Sequence, residues 1–388
     1  MKKKIKSKII FFNIIVFIFS ALFCSCKREI SILPSAVMGT AIDKLPGDEP
    51  ISITLEVVNT KTADESEESS GKPGGSVYEE SKGKSLYEAI ENLAEISPAK
   101  TDFSHNGIVI LSKELCESGI SDVLDYLFRG REFRSSNWLL VAEDSAKEII
   151  ESSSPNEDIT SIGLNNLMLQ LEKNNTIVPV DLNYYAARAN RVSMSSYIPV
   201  ASIDKSKGSS SGTIKINKMA IFKKNKLAGI LSVGDTKTLM WLSGNRAGHM
   251  VVYPLENEKN NKNMSVDVIK KSVKIIPNVK NGRIKFEINC SGYGTIREIG
   301  NMYLDPETIK KIEGNTEQAL KEKLDSLIYK SQKTLNVDFL GFSEKIYNNN
   351  PKFWFSIKNN WDSIYPNADY EVNFDVKITS TGIIKDKQ

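Results

Sequence analysis

The first 26 residues constrain this chain more than any other part, because they determine where the rest of it folds. Five lysines in MKKKIKSK precede the 15-residue segment IIFFNIIVFIFSALF, which is apolar apart from one Asn and one Ser. This segment is shorter than the ~20 residues of a transmembrane helix and is typical of a signal peptide. Ser25 precedes Cys26, and a small residue before a cysteine suits a lipoprotein signal peptidase. The sequence predicts a signal peptide over residues 1–25 and a diacylglycerol group on Cys26.

Two alternatives to this interpretation remain open. Cys24 is a second candidate for lipidation, although Phe23 before it is bulky for a cleavage subsite. The apolar segment could also stay uncleaved as an N-terminal anchor helix. A lipidated cysteine carries two acyl chains, which is what stable attachment to a membrane needs. In either case we expect the chain after Cys26 to lie outside the cytoplasm. As a lipoprotein it is lipid-anchored on the extracytoplasmic face of the membrane.

The charge balance argues against a nucleic-acid partner. The formal net charge is +3, but the signal peptide holds five of the 51 basic residues, so 46 basic residues face 48 acidic ones in the mature chain. A nearly neutral chain has no uniform field to attract phosphates, and its aromatic residues do not alternate with Lys or Arg as in single-strand binders. We predict no nucleic-acid partner.

Hydrophobic periodicity predicts an α+β fold of three domains, each mixing helices with a largely antiparallel sheet. Alternation over Ile51–Val57, Ile284–Cys290 and Tyr370–Ile378 indicates strands with one wet face. A capping box predicts a helix from Ser85 to Pro98. We expect an apolar strand over 36–43, buried strands over 108–111 and 138–141, helices at 123–128, 235–242 and 317–333, and short strands over 214–216, 220–222 and 227–231.

Polar stretches set the predicted domain boundaries. After the signal peptide at 1–25 we place an N-terminal α+β domain at 26–204, a small middle domain at 205–262 and a C-terminal α+β domain at 263–388. Within the first domain, residues 59–84 are rich in Ser, Glu, Gly and Lys, and we expect a mobile surface loop there. Cys116 and Cys290 lie in different predicted domains, so we expect separate buried thiols rather than a disulfide.

Candidate catalytic motifs are weak. Gly208 to Gly212 match the G-x-S-x-G elbow, with Asp235 and His249 following in the order of a hydrolase triad, but a Lys/Ser linker precedes the central Ser210 where an apolar strand is needed. The chain has only two histidines, His105 and His249, with no ligands at metal spacing. We predict no catalytic, metal or cofactor-binding residues and no cofactor.

Two clusters are candidates for other roles. Arg129, Arg131 and Arg134 follow the second predicted helix. Arginine grips carboxylates in a fork geometry, so these residues could contact a partner, but they could equally be helix-terminal charges and structural ion pairs. The aromatic segment around Phe353-Trp354-Phe355 and Trp361 is more typical of core packing than of a cofactor site.

Several motifs resemble the Ger(x)C lipoproteins, the C subunits of spore germinant receptors. Cys26-Lys27-Arg28-Glu29-Ile30 is similar to the family's lipidated cysteine and the residues after it, although the usual tryptophan is absent. The resemblance continues, over residues 26 to about 382, in four further segments: GKSLYEAI at 83–90, LDYLFR at 124–129 with Glu132-Phe133-Arg134, AIFK at 220–223 with KLAG at 226–229, and Trp361 with Tyr365-Pro366 and Thr381-Gly382.

The resemblance implies a three-domain protein on the outer face of the spore inner membrane, without catalysis. It also implies two polytopic partners, the A and B subunits. Two hypotheses from other classes remain. A solute-binding lipoprotein of an importer would show alternating strand and helix units around a cleft, which the antiparallel patterning disfavours. An envelope hydrolase would depend on Ser210.

Overall fold

The computed structural model describes residues 35–58, 75–97, 99–130, 132–152, 157–174, 176–193, 195–204, 212–243, 248–254, 263–280, 282–298 and 304–380. The first 34 residues lie outside these ranges, so the signal peptide and the lipidated Cys26 stay predictions. Among the described residues, no helix is both long enough and apolar enough to cross a membrane.

A nine-stranded mixed sheet organises the first part of the chain. Its strands lie in the order β3-β2-β1-β5-β6-β7-β8-β9, and a two-residue strand β4 pairs with β1. The strands are β1 (Ser35–Lys44), β2 (Ile51–Val58), β3 (Ser76–Gly83), β4 (Thr101–Asp102), β5 (Ile108–Ser112), β6 (Trp138–Ala142), β7 (Ser195–Asp204), β8 (Thr213–Lys223) and β9 (Lys226–Ile230). The flanks are antiparallel, whereas β1, β5, β6 and β7 run parallel.

The parallel centre departs from the largely antiparallel sheet that the sequence predicted. Every residue of β5, from Ile108 to Ser112, is buried. Strands that are buried on both faces read as continuous apolar runs and give no alternation to identify their direction. The connections between them carry the helices α1 (Leu86–Ile96), α2 (Lys113–Ser118), α3 (Ser121–Arg129), α4 (Ala146–Glu151), α5 (Thr160–Lys173) and α6 (Leu182–Ala189).

Part of the predicted polar loop is a strand. Residues 76–83 of the interval 59–84 form β3, which pairs antiparallel with all of β2. Polar side chains find partners there: Lys147 Nζ donates to Glu80 Oε2 at 2.5 Å, and Ser52 Oγ donates to Glu80 Oε1 at 3.1 Å. Composition therefore gave the wrong prediction for this segment, because the edge of β2 supplies the backbone partners that the segment lacks locally. Residues 59–74 lie outside the described ranges.

Two carboxylates on the first hairpin fix the starts of distant helices. Asp43 Oδ1 and Oδ2 accept hydrogen bonds from the backbone N–H groups of Ala146 and Lys147, at 2.8 and 2.9 Å, at the start of α4. Glu56, fully buried, accepts from the N–H groups of Thr160 and Ser161 at the start of α5. A helix N-terminus leaves its first N–H groups unpaired, so these carboxylates dock both helices onto the sheet.

A second sheet of four strands, in the order β10-β11-β12-β13, follows. Its strands are β10 (Gly248–Pro254), β11 (Asn263–Lys280), β12 (Arg283–Glu298) and β13 (Asp369–Ser380). The helices are α7 (Val233–Ser243), α8 (Pro306–Tyr329), α9 (Phe342–Asn349), α10 (Pro351–Ile357) and α11 (Trp361–Ile364). A π turn spans Lys330–Thr334, and 3-10 turns span Phe103–His105, Lys358–Asn360 and Tyr365–Asn367.

This second sheet has one buried face and one solvent-exposed (wet) face, as the alternation of apolar and polar residues predicted. Phe286, Ile288 and Val372 are buried, and the long helix α8 packs along β13. The opposite face carries polar pairs such as Lys285 with Glu371, whose Nζ and Oε2 lie 2.8 Å apart. The mixed α+β class is therefore confirmed, and the three-domain boundaries stay a prediction. Both remaining thiols, Cys116 and Cys290, are buried and unpaired, as expected.

Candidate functional site

A groove between the starts of α1 and α3 brings together two of the segments singled out in the sequence. We call it the α1–α3 groove, and its volume is about 480 Å³. It is lined by Lys84, Ser85, Leu86 and Tyr87 at the start of α1, by Asp122, Val123, Asp125, Tyr126 and Arg129 on α3, and by Lys44, Pro50, Ile51, Leu115, Ser118 and Gly119 beneath them.

The start of α1 is fixed by the predicted capping box. Ser85 Oγ accepts a hydrogen bond from the Glu88 N–H at 3.2 Å, and Glu88 Oε2 accepts from the Lys84 N–H at 2.8 Å. Leu86 is buried against the sheet, whereas the next residue, Tyr87, keeps 58% of its surface exposed. The cap thus sets the rotation of the helix and presents the Tyr87 ring to the groove.

Helix α3 presents a polar face to the same groove. Val123, Leu124 and Leu127 are buried, so the residues on the opposite side of the helix face outward. Arg129 Nε lies 2.6 Å from Asp125 Oδ1, one turn earlier, and its side chain is 80% exposed. This hydrogen bond raises the pKa of Arg129 above its ordinary value. So exposed an ion pair adds little stability, which leaves both groups available to a partner.

Tyr126, on the same helix face, is held by the segment that follows α3. Its hydroxyl donates to Glu132 Oε2 at 2.8 Å, and its ring lies 6.2 Å from that of Tyr87. Phe133 is buried and packs on Phe103, with ring centroids 4.8 Å apart. Burial, followed by the Glu132 carboxylate, raises the Tyr126 pKa, so the hydroxyl stays a donor. The family motif in the sequence included Tyr126, Glu132 and Phe133, but only the arginines were assigned a candidate role there.

The three candidate arginines do not form one described cluster. Arg129 lines the α1–α3 groove, whereas Arg131 lies outside the described residues. Arg134 follows Phe133 and lies near Asp102: hydrogen bonds from Ser104 lower the pKa of Asp102 most, and the charges of His105 and Arg134 add to this. Their roles, structural or in partner contact, stay a prediction.

The β8–β9 hairpin, a third segment of the sequence resemblance, contacts the same corner. Lys224 and Asn225 at its turn have positive φ angles of 50° and 61°, as a two-residue hairpin turn requires. The Asn225 carbonyl accepts from the N–H of Ile120 at 2.9 Å, directly before α3. Asn225 Oδ1 also accepts from the Tyr185 hydroxyl at 3.1 Å. No local pattern predicted the contact between Ile120 and Asn225, because the two residues lie about 100 positions apart in the chain.

The other side of this hairpin reaches the C-terminal part of the chain. Lys223 Nζ lies 2.9 Å from Asp362 Oδ1 and donates to the Asn336 carbonyl at 3.0 Å. A Cβ on Gly229 would lie 2.7 Å from Leu335 Cδ2, so the hairpin and that loop are in close contact. The hairpin thus connects the α1–α3 groove to the helices that cover the second sheet.

The remaining sequence candidates have structural surroundings. Trp354 and Trp361 are buried with ring centroids 5.4 Å apart, which confirms core packing, although Phe355 remains exposed. Asp235 forms an ion pair with Lys330 at the start of α7. Ser210 lies outside the described residues, and no cluster of three metal-ligating side chains occurs among those described. The absence of catalytic, metal and cofactor sites stays a prediction.

These observations describe the protein as a mixed α+β fold whose surface groove is connected by a hairpin to the helices of a second sheet. Two family models place it more closely. Residues 35–203 match the model described as the spore germination protein N-terminal domain, and residues 217–382 match spore germination B3/GerAC like, C-terminal. The chain belongs to this family of spore germination proteins, which confirms the resemblance seen in the sequence.

Individual relatives agree with this assignment. The chain is 26% identical over 385 residues to spore germination protein B3 of Bacillus subtilis (strain 168), covering 96% of this chain and 98% of that protein. It is 25% identical to spore germination protein KC of the same organism, covering 93% and 92%. The crystal structure of the GerBC protein matches with a TM-score of 0.57 at 22% identity, over 88% of this chain and 97% of that one, and this likeness shows the fold. The assignment favours the germination hypothesis over a solute-binding lipoprotein.

Proposed function

We propose that this chain is a non-enzymatic, lipid-anchored subunit of a nutrient germinant receptor, required for spore germination because it supports or couples the membrane-embedded A and B subunits. Family membership supports the receptor assignment. The anchor at Cys26 and the partner subunits are carried by the sequence pattern at residues 1–30 and by the resemblance.

One observation carries the coupling role. Three sequence segments that are far apart in the chain, at the starts of α1 and α3 and in the β8–β9 hairpin, converge on one corner of the protein. This convergence contributes little to the stability of the fold, because the side chains of Arg129 and Tyr87 are mostly exposed to solvent. We infer that the α1–α3 groove contacts a partner subunit and that the hairpin transmits this contact to the second sheet.

The groove is tested by Arg129→Ala in spores, followed by the rate of nutrient-triggered dipicolinate release. We expect a loss of about fivefold or more, the typical effect of truncating an interface residue that contributes over ~1 kcal/mol. Arg297→Ala is the control, because it breaks another ion pair of an exposed arginine, with Asp267 at 3.1 Å, on the second sheet. Equal release rates in both variants, with equal protein levels, would exclude the groove as a contact surface.

The anchor is tested by the mass of the mature N-terminal peptide from spore inner membranes. We expect a diacylglyceryl-cysteine at position 26 that disappears in Cys26→Ala, together with nutrient germination. Cys24→Ala is the matched control and keeps the lipid if cleavage occurs before Cys26. An unprocessed N-terminus in the wild type would instead indicate a transmembrane anchor and would remove the lipid from the proposal.

A further inference from the structure

The corner between helices α9 and α10 carries two exposed aromatic rings. We call residues 345–360 the α9–α10 corner. Asn350 caps α10 by accepting a hydrogen bond from the backbone N–H three residues later, at 3.1 Å, and Trp354 is buried beneath the helix. Both contacts fix the rotation of α10, so that Phe355 keeps 58% of its surface exposed. Tyr347 on α9 is exposed beside it, with the two ring centroids 6.1 Å apart.

The α9–α10 corner is also basic. Lys345, Lys352 and Lys358 are exposed, and the corner contains no Asp or Glu. Lys352 and Lys358 lie three positions before and after Phe355, so both cations are on the side of the helix that carries this ring. Lys358 Nζ lies 4.9 Å from the centre of the ring. The aromatic pair is therefore flanked by positive charge.

No acidic side chain compensates this charge. The two acidic residues that flank the corner in sequence are already paired with basic residues elsewhere. Glu344 Oε2 lies 3.4 Å from Arg191 Nη1, and Asp362 Oδ1 lies 2.9 Å from Lys223 Nζ. The lysines of the corner form no ion pair with any residue that the structure describes. The corner is thus an unpaired positive surface around two apolar rings.

The combination of exposed aromatic rings with lysines favours a lipid surface over a protein partner. Lysine is depleted in protein–protein interfaces. Aromatic rings beside lysines are typical of segments that lie in the membrane interface. The alkyl stem of a lysine lies along the apolar layer while its ammonium group stays among the headgroups, and anionic lipids attract that charge. The chemistry of the corner is complementary to an anionic bilayer.

The proposed lipid on Cys26 would keep the folded part of the chain close to a bilayer, and this step alone rests on the proposed function. Residues 27–34 separate Cys26 from Ser35, where the described residues begin. A chain spans at most about 3.6 Å per residue, so Ser35 stays within about 30 Å of the lipid. A short tether raises the effective concentration of the bilayer surface, so even a weak second contact is occupied.

We propose that the α9–α10 corner binds the surface of an anionic phospholipid bilayer. Phe355 and Tyr347 enter the layer between the headgroups and the acyl chains, and Lys352 and Lys358 contact lipid phosphates. This contact fixes which side of the second sheet faces the membrane, which a flexible tether alone does not. The corner shares no residue with the α1–α3 groove, so the two surfaces can be occupied together.

Co-sedimentation with vesicles tests the proposal on the chain from residue 26 with Cys26→Ala. Residues 35–388 form one compact unit, so this chain keeps its fold without the lipid and the apolar segment, and the result does not depend on lipidation. We expect binding to equimolar phosphatidylglycerol and phosphatidylcholine to be about 25-fold tighter than to phosphatidylcholine alone, about fivefold for each of the two lysines. High salt should abolish the difference.

Two results would overturn the proposal. One is equal binding to both kinds of vesicle. The other is no binding to the anionic vesicles at up to about 5 mM lipid, which would leave a protein as the occupant of the corner. The mature chain has slightly more acidic than basic residues, so its net charge does not attract it to anionic lipid and any such binding reports a local surface.

Matched variants locate the contact. Phe355→Ser removes an exposed ring, and we expect a loss of affinity for anionic vesicles of about tenfold or more. Lys352→Gln combined with Lys358→Gln should remove the preference for anionic lipid. Tyr293→Ser is the control, because Tyr293 is 42% exposed on β12 and has Lys271 Nζ 5.3 Å from its ring centre. An equal loss in Tyr293→Ser and Phe355→Ser, or no loss in Phe355→Ser, contradicts the assignment to this corner.

A depth measurement separates insertion from attraction by charge alone. Phe355→Trp places an indole at the corner, and Tyr293→Trp places one on the second sheet at a similarly exposed position. Lipids brominated on their acyl chains quench only an indole that reaches the apolar layer. We expect quenching beyond that of wild type in Phe355→Trp and none in Tyr293→Trp. Equal quenching of both, or no added quenching of Phe355→Trp in the bound chain, would contradict the proposed insertion.

Discussion

The two sheets of this protein differ in how many of their faces are buried and in which residues cap the helices that pack on them. The first sheet has its central strands buried on both faces, and two of its helices, α4 and α5, start on carboxylates that come from the sheet itself, Asp43 and Glu56. The second sheet has one wet face, and helix α8 begins with a local cap, Asp305, which accepts from the Thr308 N–H at 2.7 Å. The starts of α4 and α5 in the first region are therefore fixed by contacts about 100 residues apart in the chain, whereas the start of α8 in the second is capped by its neighbour in sequence.

The largest expected effect comes from Glu56→Ala, which removes the long-range cap of helix α5 and so tests this difference between the two regions. Glu56 Oε1 accepts from the Thr160 N–H at 2.8 Å, and Oε2 accepts from the Ser161 N–H at 2.7 Å and from Ser161 Oγ at 2.5 Å. Helix α5 has no side-chain cap of its own, because Ile159 occupies the N-cap position. We expect a loss of about 4 kcal/mol in the free energy of unfolding, measured by urea unfolding with tryptophan fluorescence.

Glu371→Ala is the matched control for this prediction. Glu371 lies on the wet face of the second sheet, where its partner Lys285 is also exposed. We expect an unchanged urea midpoint. A comparable loss in both variants would mean that Glu56 is not special and that the first sheet does not depend on its long-range cap.

The next effect in size comes from Asp338, a cap in the second region. It is buried and accepts from the N–H groups of Phe342 and Ser343, at 2.8 and 2.7 Å, at the start of α9. Burial raises the pKa of this carboxyl from 3.8 to about 6. The folded chain therefore keeps the proton longer than the unfolded chain does, and stability falls as the pH rises from about 4 to about 6.

A pH series on wild type and Asp338→Asn measures this contribution. The stability of wild type relative to the variant should fall by about 2 kcal/mol between about pH 4 and pH 6, because one pKa unit corresponds to about 1.4 kcal/mol and part of the titration lies outside this interval. Asp338→Asn removes the titration of this one carboxyl. The pH dependence that the other carboxylates contribute is the same in both proteins and cancels in the difference. A difference that stays constant with pH, or that grows in favour of wild type, contradicts the raised pKa of Asp338.

The contrast between local and distant contacts also explains what the sequence could predict. The capping box at Ser85, the strands at 284–290 and 370–378, and the core role of Trp354 and Trp361 all followed from neighbouring residues, and the structure confirms them. The helix predicted at 317–333 is present, but α8 begins earlier, at Pro306. Its first turns were not predicted because they are mostly polar.

What the sequence did not predict depended on pairing between distant segments. The strand β3 has a polar composition and forms because β2 offers an edge. The parallel direction of β5 and β6 has no local signature. For the α1–α3 groove, Arg129 was singled out, but Asn225 was not, since its contact with Ile120 exists only after the hairpin packs against α3.

The smallest expected effect tests whether the second sheet is wet on one face, using two neighbours on β11. Val268 is fully buried, whereas Ile269 keeps 48% of its surface exposed beside Tyr293 on β12. Val268→Thr keeps the shape and buries a hydroxyl, so we expect a loss of about 1.5 kcal/mol. Ile269→Thr makes a similar polar change in solvent, where the effect should be within about 0.5 kcal/mol. A larger loss at Ile269 than at Val268 in urea unfolding would mean that the exposed face is covered in the folded chain, and the contrast between the two sheets would fail.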